Sequence, residues 1–138
     1  MRAKKVTKNL WAAAKSGDNE MLTKAIAAGA QINALGPEGY AAIHTAVTFG
    51  HIGIIQELLQ SGANVRRRTA DGFNSVHLCL MSSNIKLKHR PAILSTLLDH
   101  GGSPSVKSPL AGTPLQIVKN YRRSPKLADL LKQYGADV

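Results

Sequence analysis

Apolar residues recur along this chain in short stripes of helical spacing divided by glycine. Ala42, Ile43, Ala46 and Val47 form one stripe, and Ile54, Ile55, Leu58 and Leu59 form a second after a break at Gly50. Residues three and four apart share a helix face, so each stripe predicts a short amphipathic helix, and the break between them predicts an antiparallel pair. Gly62 stands just past the second stripe, where a left-handed residue closes a helix without a Cβ penalty. Asp18 stands where the second helix of an earlier pair should begin, and its carboxylate is suited to accept an amide hydrogen bond there.

The punctuation is periodic. Gly17 returns as Gly50, Gly29 as Gly62, Gly39 as Gly72, His44 as His77, and Ala13 as Ala46 and then Cys79, each step being 33 residues. A fixed interval of this length marks stacked supersecondary units. Four units align, at about 7–35, 36–68, 69–107 and 108–138, and are expected to make a single domain over 1–138.

These units resemble the ankyrin repeat, whose pattern runs Gly-x-Thr-Pro-Leu-His-x-Ala, first helix, Gly-His, second helix, Leu-Leu-x-x-Gly-Ala. The second unit carries Gly39, Ile43, His44, Ala46, Gly50, His51, Leu58, Leu59, Gly62 and Ala63. The third keeps Gly72, Val76, His77, Leu97, Leu98 and Gly101, and the fourth keeps Thr113, Pro114, Leu115, Gly135 and Ala136. The resemblance covers about Asn9 to Val138. It implies an all-α ankyrin-repeat solenoid of paired antiparallel helices with β-hairpin or turn loops, serving as a protein-protein interaction module or adaptor.

Departures from the pattern are equally specific. Gly62 to Gly101 is 39 residues, so about six are inserted in the third unit within 82–90, where SSNIKLKHR predicts a protruding basic loop. The fourth unit has Gln116 in the histidine slot, Arg123 near the expected inter-helix glycine, and one residue more between Leu130–Leu131 and Gly135. The first unit has Trp11 in the histidine slot and no opening hairpin, as expected of an N-terminal cap. The chain closes on Gly-Ala-Asp-Val without a polar capping helix, which leaves two readings: Leu127, Leu130 and Leu131 complete the stack, or the chain is a fragment of a longer protein.

Charge and cysteine usage narrow the setting. Eighteen Lys and Arg against 8 Asp and Glu give a net charge of +10, which attracts acidic surfaces and polyanions and equally keeps an elongated surface soluble. No stretch approaches a membrane-spanning helix, the start has no apolar block behind its charge, and the one cysteine has no internal disulfide partner. An intracellular monomer is expected, cytoplasmic or nuclear, or a secreted effector acting inside a host cell.

Chemistry-bearing residues are absorbed by the repeat. In ankyrin repeats the histidine at the positions of His44 and His77 bonds backbone near the hairpin, so no metal or catalytic role is expected of either. Cys79 takes the small core position of Ala46 and is expected to be a buried spacer. One cysteine and dispersed histidines do not make a zinc site, and no phosphate loop or nucleophile elbow is present. No enzyme, no cofactor and no small-molecule substrate are expected.

In the ankyrin family the concave face commonly holds the partner. The register places Pro37, Glu38, Tyr40, Ala70, Asp71 and Phe73 on its hairpins, and Lys15, Ser16, Thr48, Phe49, Met81, Ser82, Asn120 and Tyr121 on its first helices. Four of the chain's six aromatic residues fall in this set, which suits an anchor strip. Its basic flanks are Arg66, Arg67, Arg68, Lys107, Arg122 and Arg123, with Lys86, Lys88 and Arg90 on the inserted loop. The expected partner is a protein bearing acidic groups, contacted through Lys15, Tyr40, Thr48, Phe49, Arg67, Arg68, Asp71, Phe73, Met81, Ser82, Asn120, Tyr121 and Arg122. Alternatives are a polyanion, either nucleic acid or anionic lipid, and a targeting segment of a larger enzyme or effector.

Overall fold

A computed structural model describes residues 2–136; Met1, Asp137 and Val138, the last two within the closing Gly-Ala-Asp-Val, lie outside the described residues. The described chain is all-α: α1 (Arg2–Ser16), α2 (Asn19–Ala27), α3 (Ala42–Thr48), α4 (Ile52–Gln60), α5 (Ser75–Met81), α6 (Arg90–Asp99), α7 (Pro114–Ile117) and α8 (Pro125–Gln133). The starts of α2, α5, α7 and α8 are set by capping side chains, which satisfy amides that the helix leaves free. Asp18 accepts from Met21 N at 3.0 Å, Asn74 from His77 N at 2.9 Å, and Ser124 from Leu127 N at 3.3 Å.

The ends of the second helices, α2, α4, α6 and α8, are set by glycine followed by a small residue. Gly62 has φ +101°, and Ala63 N donates back to Leu58 O at 2.9 Å. The same closure recurs where Ala30 N meets Ala25 O, Gly102 N meets Leu97 O and Ala136 N meets Leu131 O.

First helices stack in one row, α1 on α3, α3 on α5 and α5 on α7, while α2 packs on α4 and α6 on α8. Small residues let the first row close up: Ala13, Ala46 and Cys79 are each fully buried. Around them Leu10, Leu22, Ile43, Ile55, Leu58, Leu80, Ile93, Leu94, Leu97, Ile117 and Leu131 are also buried, forming one core that runs the length of the stack.

The loops opening repeats two to four are tight turns, and no strand forms among the described residues. Each closes through one equivalent bond: Gly36 N to Tyr40 O, Thr69 N to Phe73 O and Ser108 N to Gly112 O, at 2.7–2.8 Å. Ala70 N links the second of these turns to Gly39 O at 2.9 Å. Pro109, at the position equivalent to Ala70, has no N–H to give; its ring instead lies 3.0 Å from where a Cβ on Gly72 would sit.

Two irregularities break the stack. The insertion does not simply protrude. Lys86, Leu87, Lys88 and His89 are exposed, but Ile85 is 5% exposed and packs over Gly50, and Arg90 is 2% exposed. Burying an Ile side chain contributes roughly 1.5–3 kcal/mol, enough to anchor such a loop. In repeat four the extra residue lies in the first helix rather than beside Gly135. Helix α7 widens into a π-turn at Val118–Arg122 that ends on Arg123 with φ +43°. From Ser124 to Gly135 the spacing then equals that from His51 to Gly62. Consequently Leu131 and Lys132, rather than Leu130 and Leu131, match Leu58 and Leu59, and Leu130 is only half-buried.

Candidate functional site

At the turn edge, one interaction is repeated up the stack. His44 Nδ1 accepts from Ala41 N at 2.9 Å, so Nε2 carries the proton and donates to Arg67 O at 2.7 Å. His77 does the same, accepting from Asn74 N at 3.1 Å and donating to Val106 O at 2.6 Å. Trp11 Nε1 occupies the equivalent place in repeat one and donates to Ala34 O at 3.3 Å. In repeat four Gln116 supplies the accepting half, taking Thr113 N on Oε1 at 2.8 Å. Burial lowers the pKa of both histidines, against the raising effect of their backbone bonds, so the neutral forms are favoured.

On this frame sits one part of the expected face. Lys15 and Tyr40 meet in a hollow of about 160 Å³ with Trp11, Ala12, Pro37, Glu38 and Thr45. Thr45 is a contributor that the sequence reading missed; its 33-residue equivalence to Ala12 and Leu78 was the available signal. Tyr40 and Phe73 are half-buried, set edge-on to His44 and His77 with ring centroids 5.9 and 6.3 Å apart. Burial first, then the charges of Asp71 and Glu38, raises the Tyr40 pKa. Asp71 accepts from Thr69 Oγ1 at 2.5 Å. Arg66, Arg67 and Arg68 are exposed, each tied by one nitrogen to a carbonyl, those of Gly101, Asn33 and Gly72. The turn tips carry Glu38, Asp71 and, in repeat four, Leu110, which is 87% exposed and which aromatic counting overlooked.

Phe49 and Tyr121 lie elsewhere. They follow or close the first helices, about 10 Å from the turns over the seven residues of α3. The expected aromatic strip is therefore two separated pairs. Phe49 stacks on His51 at 6.4 Å and 18°, and His51 in turn meets Lys15 O at 3.0 Å. Tyr121 is 64% exposed and Asn120 is exposed beside it. Thr48 Oγ1 donates to His44 O at 2.8 Å, Ser82 Oγ donates to Thr48 O at 2.5 Å, and Met81 is half-buried.

The guanidinium of Arg122 is bonded internally through Nε and Nη2. Its Nε donates to Leu80 O at 2.9 Å and its Nη2 to Ser82 O at 2.7 Å and Met81 O at 3.3 Å. Arg90, expected on the exposed loop, is buried for the same reason: Nη1 reaches Cys79 O at 2.5 Å and Nη2 reaches Ile85 O at 3.1 Å. Both replace the glycine closure that α5 lacks, since Ser82 is an extended C-cap. Burial pushes the Cys79 thiol up to about 12, which removes the thiolate that nucleophilic or metal chemistry needs. Among the described residues no three His, Cys, Asp or Glu side chains converge to hold a metal ion.

Helix pairs stacked through one recurring set of buried contacts define a helical-repeat solenoid with an open outward face. The family described as ankyrin repeats (3 copies) matches residues 10–108, and the chain belongs to the ankyrin-repeat family. It is similar to an ankyrin repeat-containing protein of Schizosaccharomyces pombe, 25% identical over 128 residues that are 93% of this chain and 58% of that protein. It also matches L-asparaginase of Dirofilaria immitis, 29% identical over 126 residues, 91% of this chain and 20% of that protein. The Notch-regulated ankyrin repeat-containing protein of Homo sapiens is 34% identical over 47 residues, 34% of this chain and 41% of that protein. The chain thus spans 58% and 20% of the length of the first two relatives. Ankyrin repeats are generally protein-protein interaction modules on a non-catalytic fold. No helix among the described residues is long and apolar enough to cross a membrane.

Proposed function

We propose that this chain is an adaptor whose turn tips and outward first-helix faces hold a partner protein carrying acidic and apolar groups. The observation that carries this reading is the repeated turn-edge frame, in which the ring nitrogens of Trp11, His44 and His77 are consumed by backbone. That frame leaves Lys15, Glu38, Thr45, Asp71 and Leu110 as side chains on a preorganised platform, which lowers the ordering cost of binding. Exposed Arg67 and Arg68, each held by one nitrogen, keep further donors for carboxylates. Tyr40 and Phe73 act in this reading through the frame rather than as free anchors, and Arg122 acts by holding the end of α5 at the opposite edge.

Affinity capture tests the reading, comparing the native chain with a Glu38→Lys, Arg67→Glu, Leu110→Ser variant whose altered side chains are exposed. Loss of the captured protein from the variant, with unchanged circular dichroism, is expected. Recovery of the same proteins by both chains contradicts the concave-face assignment.

A further inference from the structure

At the opposite edge, where first helices hand over to second helices, the inserted loop and repeat four enclose a cleft of about 440 Å³. Lys88, Arg90, Arg122 and Lys126 line it together with Leu87 and Pro91, and among the described residues no acidic side chain lines it. The first turns of α6 and α8, at Arg90–Pro91 and Pro125–Lys126, also border it, and helix starts carry partial positive charge. Among the described residues the two arginines bond only backbone carbonyls, those at the end of α5 and that of Ile85, whose partial charges do not balance two full ones.

Arg90 makes the imbalance acute. It is 2% exposed, no carboxylate lies within ion-pair distance of it among the described residues, and its Nε is a buried side-chain atom without a partner. Buried charges are ordinarily paired, because burial removes the solvation of an ion and only a counter-charge restores it. Beside this charge the loop displays Leu87, 78% exposed, at the tip of a turn pinned by buried Ile85 and by His89 N and Arg90 N on Lys86 O at 2.9 and 3.2 Å. An inorganic anion would satisfy the charge and leave Leu87 and Pro91 uncovered.

We infer that this cleft binds a short acidic peptide segment of a partner, in which two or more carboxylates flank an aliphatic or aromatic side chain. The carboxylates face Lys88, Lys126 and the rim of Arg90 and Arg122, and the apolar side chain lies on Leu87 and Pro91. The site is separate from the turn-edge platform and does not rest on it.

A labelled peptide in which Glu pairs flank Leu-Phe is the probe, titrated into the full chain while the arginine Nε–H and Leu87 methyl signals are followed by NMR. The Nε–H signals of Arg90 and Arg122 and the Leu87 methyls should shift together. Lys88→Glu with Lys126→Glu, both at exposed positions, should weaken binding at least about tenfold. Leu110→Ser with Arg67→Glu on the other edge should leave it unchanged, which separates this site from the platform. An unperturbed Arg90 Nε–H signal in the free charge-reversed chain confirms that its fold is intact. Equal binding of the Gln-for-Glu peptide, undiminished binding by the charge-reversed chain, or shifts confined to the turn tips would each overturn the inference. So would displacement of the peptide by inorganic phosphate at matching concentration, or the same shifts produced by phosphatidylserine vesicles when the peptide produces none.

Discussion

The two edges of this solenoid solve the same problem differently. At the turn edge, Trp11 Nε1, His44 Nε2 and His77 Nε2 each donate to a carbonyl of the segment that leads into the next turn, so the edge is closed with neutral groups at a fixed register. At the inter-helix edge that economy fails in repeats three and four, where no left-handed glycine ends α5 and Arg123 stands in the left-handed position after the π-turn. Two guanidiniums are drawn in to satisfy the carbonyls, and they bring charge that no carboxylate among the described residues pairs with. Regular repeats hide their polar groups; an irregular repeat leaves a residual chemistry for something else to meet.

The largest effect should come from removing the arginine that closes the irregular edge. Arg90→Ala leaves Cys79 O and Ile85 O without their donors and opens a cavity, for an expected loss of about 3 kcal/mol in urea unfolding. A loss under about 1 kcal/mol would mean that the neighbouring helices close over the site unaided. At the regular edge, Gly39→Ala should cost about 2 kcal/mol, because φ is +82° and the new Cβ would lie 2.7 Å from Ala70 Cβ.

Titration distinguishes the edges by a smaller amount. His44 and His77 have pKa values lowered in the folded state, so the unfolded chain binds more protons as pH falls through the ordinary value near 6.5. Stability is therefore full above that value and declines below it, by at most about 1.4 kcal/mol per pH unit for each histidine. His44→Gln, which keeps the accepting half as Gln116 does in repeat four, should flatten the decline when unfolding is followed from pH 7.5 to 5. A slope identical to the native chain would place the titrating groups elsewhere. The smallest effect is a gain: Arg123→Gly relieves a left-handed non-glycine residue and should stabilise by about 0.5–1 kcal/mol by the same measurement.

Much of this is legible in the sequence. Helix pairing and the fold class follow from glycine spacing and apolar stripes, which report packing directly. What escaped had local causes. Ile85 sits in a basic stretch, so charge concealed its role as an anchor, and Arg90 reads as a loop cation until the unclosed end of α5 is seen. The extra residue of repeat four was misplaced because Leu130–Leu131 mimics the Leu58–Leu59 pair, whereas the π-turn carries no sequence mark beyond Arg123 in a glycine's place. The aromatic residues share a register, but a register does not say that Tyr40 and Phe49 stand at opposite ends of α3.

Position-resolved photo-crosslinking tests the central claim most directly. With a benzophenone amino acid placed in turn at Lys15, Leu110 and Gln56, all exposed, the chain is irradiated in the cells that express it and its adducts are mapped by mass spectrometry. A partner protein joined at Lys15 and Leu110 and absent at Gln56 on the second-helix row is the predicted result. Adducts formed equally well from Gln56, or from Gln56 alone, would contradict it.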